Sequence, residues 1–361
     1  MIHRLIAIIL NMGKWKEKFK MKVRKEITEF ILREKRYWSR GRAFKKYSYG
    51  EKNGDKRFRV LCNKNPWASA HGLLSTVSIL LPNIVEARQN GYIPVIDLCR
   101  NDTIQPLLQE QETVKVENAW EYYFTQPNKE ISLDEVRQSK YVEEQKKDCM
   151  NLEYYIGDKF LQNDARTQYL FEIISQNIHL QPSIASRVER EKMRLFPQDS
   201  KVMGVGIRAG YRAGIKKNLS WLNGHPNVES CADYIKDIEK KLKEWSYDLF
   251  FLTIDDRQYF EEIKKYFGKS CIYFERPRIH YFQDAFMDIP QEIDEKIRAI
   301  EFEGVSIKQR NVDYLVELYL LAQCDSLYAS LGTGHNFAYL FNNGRYTRTE
   351  FLDLGAFEYK G

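Results

Sequence analysis

Cysteine is scarce and scattered. Six residues, Cys62, Cys99, Cys149, Cys231, Cys271 and Cys324, are spread over 361 positions with no CxxC pair. That spacing supports neither a zinc site nor a disulfide scaffold, and it fits a reducing, cytoplasmic setting. The six histidines show no HExxH-type spacing, so no built-in metal site is expected. Apolar runs are short: residues 5–10 stop far below the roughly 20 residues of a membrane span. No clear small-residue cleavage site follows them, which speaks against a cleaved signal peptide. Internal repeats and low-complexity tracts are missing. With 43% hydrophobic and 14% aromatic residues, the composition is that of a globular chain long enough for two cores.

What basicity there is lies at one end. The net charge is +6, but the first 46 residues alone carry about +11, which leaves the remainder mildly acidic at about −5. A basic footprint confined to one end excludes nucleic acid as the expected partner. Within that end Trp15, Phe19, Val23, Ile27, Phe30 and Ile31 recur at helical spacing, opposite Lys14, Lys16, Lys18, Lys20, Lys22, Arg24 and Lys25. A basic helix with an aromatic face suits an anionic membrane surface, and it equally suits a solvated helix packed on its own protein. The first alternative makes residues 1–50 a membrane-associating segment and the protein peripheral at the inner face of the plasma membrane.

Residues 58–62 read as a strand, 73–88 as a helix with a kink at Pro82, and 92–97 as a second strand. This is a βαβ unit. The loop after its first strand ends at His71 and Gly72, which either approach a ligand on the acceptor side or simply start the helix. Residues 118–127 are unusually aromatic, with Trp120, Tyr122, Tyr123 and Phe124. They suit a stacking platform for a sugar or a packed hydrophobic cluster. Residues 132–182 read as mostly helical and 183–195 as a charged helix. The turn cluster at 197–200 marks the boundary between a first α/β domain, 56–197, and a second, 200–345, with 346–361 as a tail.

The second domain opens with Val202, Met203, Val205 and Ile207, an apolar run that reads as a buried strand. Arg208, Gly210, Arg212 and Gly214 follow it. In open α/β sheets ligands sit outside the carboxyl ends of the strands, and a guanidinium there offers a planar fork to a phosphate. The same residues also suit an ordinary surface loop. Strands at 248–254, 271–274 and 325–330 alternate with helices at 228–245, 257–267, 313–323 and 337–342, which predicts a doubly wound, mostly parallel sheet. Two further strand ends carry chemistry. Asp255 and Asp256 close one of them, where they suit a metal, a sugar hydroxyl or a loop N–H, or where Asp256 acts as a helix N-cap. Ser330, Gly332, Thr333, Gly334 and His335 close another and lead into a helix N-terminus, a favourable place for an anion.

Taken in order, residues 205–208, His225 with Pro226, residues 252–256 and residues 317–325 resemble the motifs of the inverting fucosyltransferases that include core α-1,6-fucosyltransferase, the nodulation fucosyltransferase and the protein O-fucosyltransferases. The likeness spans roughly residues 58–345. It implies a GT-B fold of two facing α/β domains and a metal-free enzyme that uses a nucleotide-sugar donor, with GDP-fucose as the expected one. On this resemblance Arg208 holds the diphosphate, Glu317 accepts from the guanine edge, and Ser330, Gly332, Thr333 and Gly334 line the phosphates. Arg212, Asp255, Asp256 and His335 complete the donor side, with His71 and Gly72 on the acceptor side. The chain departs from the motifs in three ways. The family's histidine is Gly206 here, and its second arginine position is Ala209. No Asp or Glu lies between Arg208 and His225. The base is then His225 or a first-domain residue, or the reaction is dissociative enough to need little base. The expected acceptor is a glycan or lipid-linked oligosaccharide in cell-surface polysaccharide synthesis. The alternatives are a non-catalytic nucleotide-sugar or glycan-binding protein on the same fold, and a transferase with another donor.

Overall fold

The computed structural model describes residues 43–62, 72–98, 118–146, 156, 165–209, 226–278 and 305–355. Among them two sheets form. The first has the order β1-β4-β2-β3, from β1 Phe44–Tyr47, β2 Phe58–Leu61, β3 Ile93–Ile96 and β4 Val142–Gln145. β2 runs parallel to both β3 and β4, and β1 closes one edge antiparallel to β4. β2 and β3 are joined by helix α1, Leu73–Gln89, as the βαβ pattern predicts.

α1 runs unbroken across Pro82. Fourteen of its residues are buried, on all sides of the helix, so packing outweighs the loss of one backbone hydrogen bond at the proline. The described residues of the stretch 132–182 are not all helical. They hold one helical turn, Leu133–Val136, then β4, then α2, Ala165–Asn177. β4 escapes a hydropathy reading because its sequence is Val-Glu-Glu-Gln. Glu143 faces the interior and pairs with Arg59 at 2.7 Å, and Arg59 also pairs with Glu86. Arg59 lies between the rings of Phe44 and Tyr92, so the buried charges are neutralised and stacked rather than solvated.

The second sheet has five parallel strands in the order β7-β6-β5-β8-β9. They are β5 Val202–Ile207, β6 Leu249–Ile254, β7 Cys271–Tyr273, β8 Ser326–Ser330 and β9 Arg348–Leu352. The doubly wound parallel sheet expected from the alternation is present. β9 lies within the stretch read as a tail, and it covers the outer edge of β8. Met203, Val205 and Ile207 point to one face, where they meet Tyr234 and Ile238 of α4, Cys231–Trp245, and Phe260 and Ile263 of α5, Arg257–Phe267. Gly204 and Gly206 point to the other face, which carries α6, Ile307–Leu321, and α7, Thr333–Asn342.

One continuous core joins both sheets. It runs from Leu61 and Ile96 through Val77, Leu81 and Ile84 of α1 and Ile173 and Ile174 of α2. From there it continues to Leu315 and Leu318 of α6, Phe337 and Leu340 of α7, and Leu327 of β8. The helix α3, Pro182–Leu195, adds Ile184 and Val188 to it. At about 1.5–3 kcal/mol for each fully buried aliphatic or aromatic side chain, this shared core is the main force holding the helices of the first half on α6 and α7.

Candidate functional site

The site is built at the carboxyl ends of β5, β6 and β8. Arg208 is the first residue past β5. Its N–H donates to Ser330 Oγ at 2.6 Å, and Tyr234 Oη donates to its carbonyl at 3.2 Å. Strand β8 and helix α4 thus fix its backbone from two sides. Its side chain lies along Gly332: a Cβ at that position would come within 3.2 Å of Arg208 Nη1 and 3.3 Å of its Cδ. Gly332 is the N-cap of α7 with an extended backbone, φ 174°, so it is the closeness of the arginine, not backbone freedom, that leaves little room for a side chain there. The second glycine of this turn is demanded from another side. A Cβ on Gly334 would fall 2.0 Å from Tyr314 Oη, so α6 and α7 approach through a gap that only a bare Cα leaves open.

His335 ends the same turn. Its Nδ1 lies 2.8 Å from the carbonyl of Ser330, and its ring covers Gly206 on the neighbouring strand. Arg208, Ser330, Gly332, Thr333, Gly334 and His335 are therefore brought together, as their strand-end placement predicts. The α7 N-terminus adds the positive end of its dipole at the same place.

Asp255, at the end of β6, is 55% exposed at its side chain yet is bound by Arg276 Nη2 at 2.6 Å. Desolvation by the protein on its inner side raises its carboxyl, but Arg276, His335 and Arg278 outweigh that and hold it below the usual carboxylate range. Asp256 is committed elsewhere. Its Oδ1 accepts from the Tyr259 N–H at 2.8 Å, and the residue is 2% exposed as the N-cap of α5. Of its alternatives the structure realises the cap.

Glu317, fully buried on α6, receives Arg276 Nη2 at 2.6 Å on one oxygen and Arg278 Nη2 at 3.2 Å on the other. Arg276 thus bridges Glu317 and Asp255. Arg278 also donates to the carbonyls of Phe274 and Ile254 and stacks on the Phe260 ring at 3.7 Å. Burial pushes the Glu317 carboxyl up, with the two guanidiniums offsetting part of the effect. Arg276 itself stays protonated, because two carboxylates oppose its desolvation. The carboxylate expected to meet a purine edge is saturated by arginine in this conformation. Tyr314 stands among these charges, and burial, followed by Asp255, raises its phenol. Thr253 Oγ1 and Arg276 Nε are buried without a hydrogen-bond partner among the described residues.

Sequence reasoning missed Arg276, Arg278 and Tyr314. The two arginines lie in a polar stretch without periodicity. The signal that points to them is Glu317 itself, a carboxylate flanked by Leu315, Val316 and Leu318 on a core face, where only cationic partners make it tolerable. Gly72 is the exposed N-cap of α1. His71, Arg212 and His225 lie outside the described residues. The aromatic run resolves as a packed cluster: Trp120, Tyr123 and Phe124 are at most 1% exposed, with Trp120 and Phe124 centroids 4.7 Å apart. Among the described residues no three His, Cys, Asp or Glu side chains gather as a metal site, and no helix is long and apolar enough to cross a membrane.

No protein-family model and no curated protein sequence matches the chain. Solved structures similar to it include NodZ alpha-1,6-fucosyltransferase soaked with GDP-fucose, at 13% identity and a TM-score of 0.43, covering 83% of this chain and 96% of that one. A mutant of Arabidopsis thaliana FUT1 in complex with GDP aligns at 11% identity and a TM-score of 0.41, over 84% and 72% of the two chains. POFUT1 in complex with GDP-fucose aligns at 9% identity and a TM-score of 0.33, over 81% and 73%.

Proposed function

We propose that this protein is a glycosyltransferase that takes its sugar from a nucleoside diphosphate donor, GDP-fucose by the motif resemblance. It passes that sugar with inversion to a hydroxyl of a glycan or lipid-linked oligosaccharide in surface polysaccharide synthesis. The observation that carries the reading is the convergence of Arg208 on the 332–335 turn: a guanidinium and the N-terminus of α7 meet at adjoining strand ends. That pairing suits two linked phosphates, and it suits them best when they leave. As the acceptor oxygen bonds to the anomeric carbon and the bond from that carbon to the phosphate oxygen breaks, negative charge grows on the departing diphosphate. Preorganised donors at that point lower the barrier without a metal. The acceptor hydroxyl gives its proton to a base, for which His225 is the candidate, or to solvent.

The direct test is turnover of GDP-fucose by the purified full-length protein, with and without glycan acceptors. Arg208→Ala is expected to reduce turnover about a hundredfold or more, the usual cost of removing one donor from a developing anion. Arg208→Lys is expected to recover only part, since an ammonium lacks the planar fork. Wild-type turnover in Arg208→Ala rejects the role given to this residue.

A further inference from the structure

Gly204 and Gly206, two apart on the central strand, leave the α6/α7 face of the sheet bare at two points. The two gaps are filled differently. A Cβ on Gly204 would come within 2.7 Å of Leu321 Cδ1 and 3.2 Å of Cys324 Cβ, so ordinary apolar packing occupies that room. A Cβ on Gly206 would fall 2.8 Å from His335 Cδ2 and 2.9 Å from its Nε2, so an imidazole occupies this one. The ring's orientation is fixed. Nδ1 lies 2.8 Å from the Ser330 carbonyl, which can only accept, so Nδ1 carries a proton, and the ring lies over Gly206, with Cδ2, Nε2 and Cγ all within 3.0 Å of where a Cβ would stand. Arg208 follows two residues after Gly206, and its guanidinium rests on Gly332, three residues before His335. Across the ladder from Gly206 stands Thr253, whose buried hydroxyl has no hydrogen-bond partner among the described residues.

We infer that His335 is the partner of Arg208 in holding the donor diphosphate, as an imidazolium that keeps its Nδ1–H on the Ser330 carbonyl and donates its Nε2–H to a phosphate oxygen: the imidazole that the resembling motif carries on the strand at position 206 is delivered here from the first turn of α7, and Gly206 is bare to admit it. This rests on the nucleotide-sugar reading above and names the second side chain of that site. It also gives a reason for a glycine at the penultimate position of the central strand, where it costs stability. The mode of anchoring matters as well. An imidazole tied to the Ser330 carbonyl is aligned before any ligand arrives, and Ser330 positions Arg208 through its hydroxyl, so one β8 residue aligns both groups.

The test is calorimetric titration of the full chain with GDP and with guanosine, which lacks the phosphates. His335→Ala is expected to weaken GDP about ten- to a hundredfold, the scale of one charge-assisted hydrogen bond, and to leave guanosine unchanged. The swap variant Gly206→His with His335→Ala returns an imidazole to the strand in the room vacated by the ring, and is expected to regain most of the GDP affinity. Should His335→Ala fail to fold, His335→Asn keeps a polar side chain of similar reach without the imidazole and carries the same comparison. A wild-type protein that binds GDP while the folded His335 variant binds it equally well overturns the inference alone. Parallel losses for GDP and guanosine, or a folded swap variant no tighter than His335→Ala, also overturn it by reducing His335 to a packing element. A wild-type protein that binds no GDP overturns both the inference and the donor reading.

Discussion

Glu317 and Asp255 share Arg276, yet they respond to it differently. Glu317 has no solvent to fall back on, and its two guanidinium partners are 9% and 3% exposed. A buried pair of this kind adds little net stability, but breaking it strands a charge. Glu317→Gln is therefore expected to destabilise the fold by about 3–5 kcal/mol, read from urea midpoints at constant m-value. Asp255 has solvent on one side, and its folded carboxyl sits below its ordinary value. A depressed carboxyl contributes stability that is present above the unfolded value near 4 and is lost as pH falls through the lower folded value. Asp255→Asn is expected to flatten that part of the acid dependence. Urea midpoints measured from pH 6 downward should fall less steeply below about pH 4 in the variant than in the wild type. Equal slopes would mean that Arg276 is held by Glu317 alone.

At the level of elements, the contact between α6 and α7 turns on one hydroxyl. Tyr314 Oη reaches to where a Gly334 side chain would stand. Gly334→Ala is expected to cost about 1–3 kcal/mol by overpacking. Adding Tyr314→Phe should return most of it, since the nearest remaining ring atom is then 3.2 Å away. Failure of the phenylalanine to rescue would show that the backbone of the turn, not the tyrosine, sets the requirement. β4 teaches the opposite lesson about legibility. Its Glu143 looks like a surface residue in the sequence and is 8% exposed in the fold, because Arg59 reaches it from a neighbouring strand. α1 lies between these cases. Its apolar spacing announces the helix, while burial on all sides, which spacing cannot announce, carries it through Pro82.

At the scale of the whole molecule, the helices α1, α2 and α3 of the first half share a core with α6 and α7 of the second, and Arg187 of α3 ties to Asp313 of α6 at 2.7 Å. Asn311 of α6 likewise donates to Tyr123 in the aromatic cluster. The described part of the chain begins at residue 43, where Ala43 is 3% exposed and β1 begins beside it. Membrane association is therefore best tested by removing residues 1–42, which spares β1. That truncation is expected to move the protein from the membrane fraction to the soluble fraction, and undiminished sedimentation with membranes would end the lipid reading of those lysines.

The sequence by itself determined the parts that depend on neighbours along the chain. Apolar runs made β5, β6 and β8, helical spacing made α4 and α5, and Asp256 became the N-cap that its place before a helix predicts. Arg208, Ser330 and the 332–335 turn were marked as strand-end residues because parallel topology sends such residues to one edge. Tertiary structure alone decided what those residues meet. His335 over Gly206, Arg276 between Glu317 and Asp255, Tyr314 over Gly334 and Arg59 against Glu143 each join residues 20 to 130 positions apart in the chain. Local propensity acts over a turn of backbone and is blind to such pairs. The bareness of a glycine or the burial of a carboxylate acquires its reason only when packing brings the partner in.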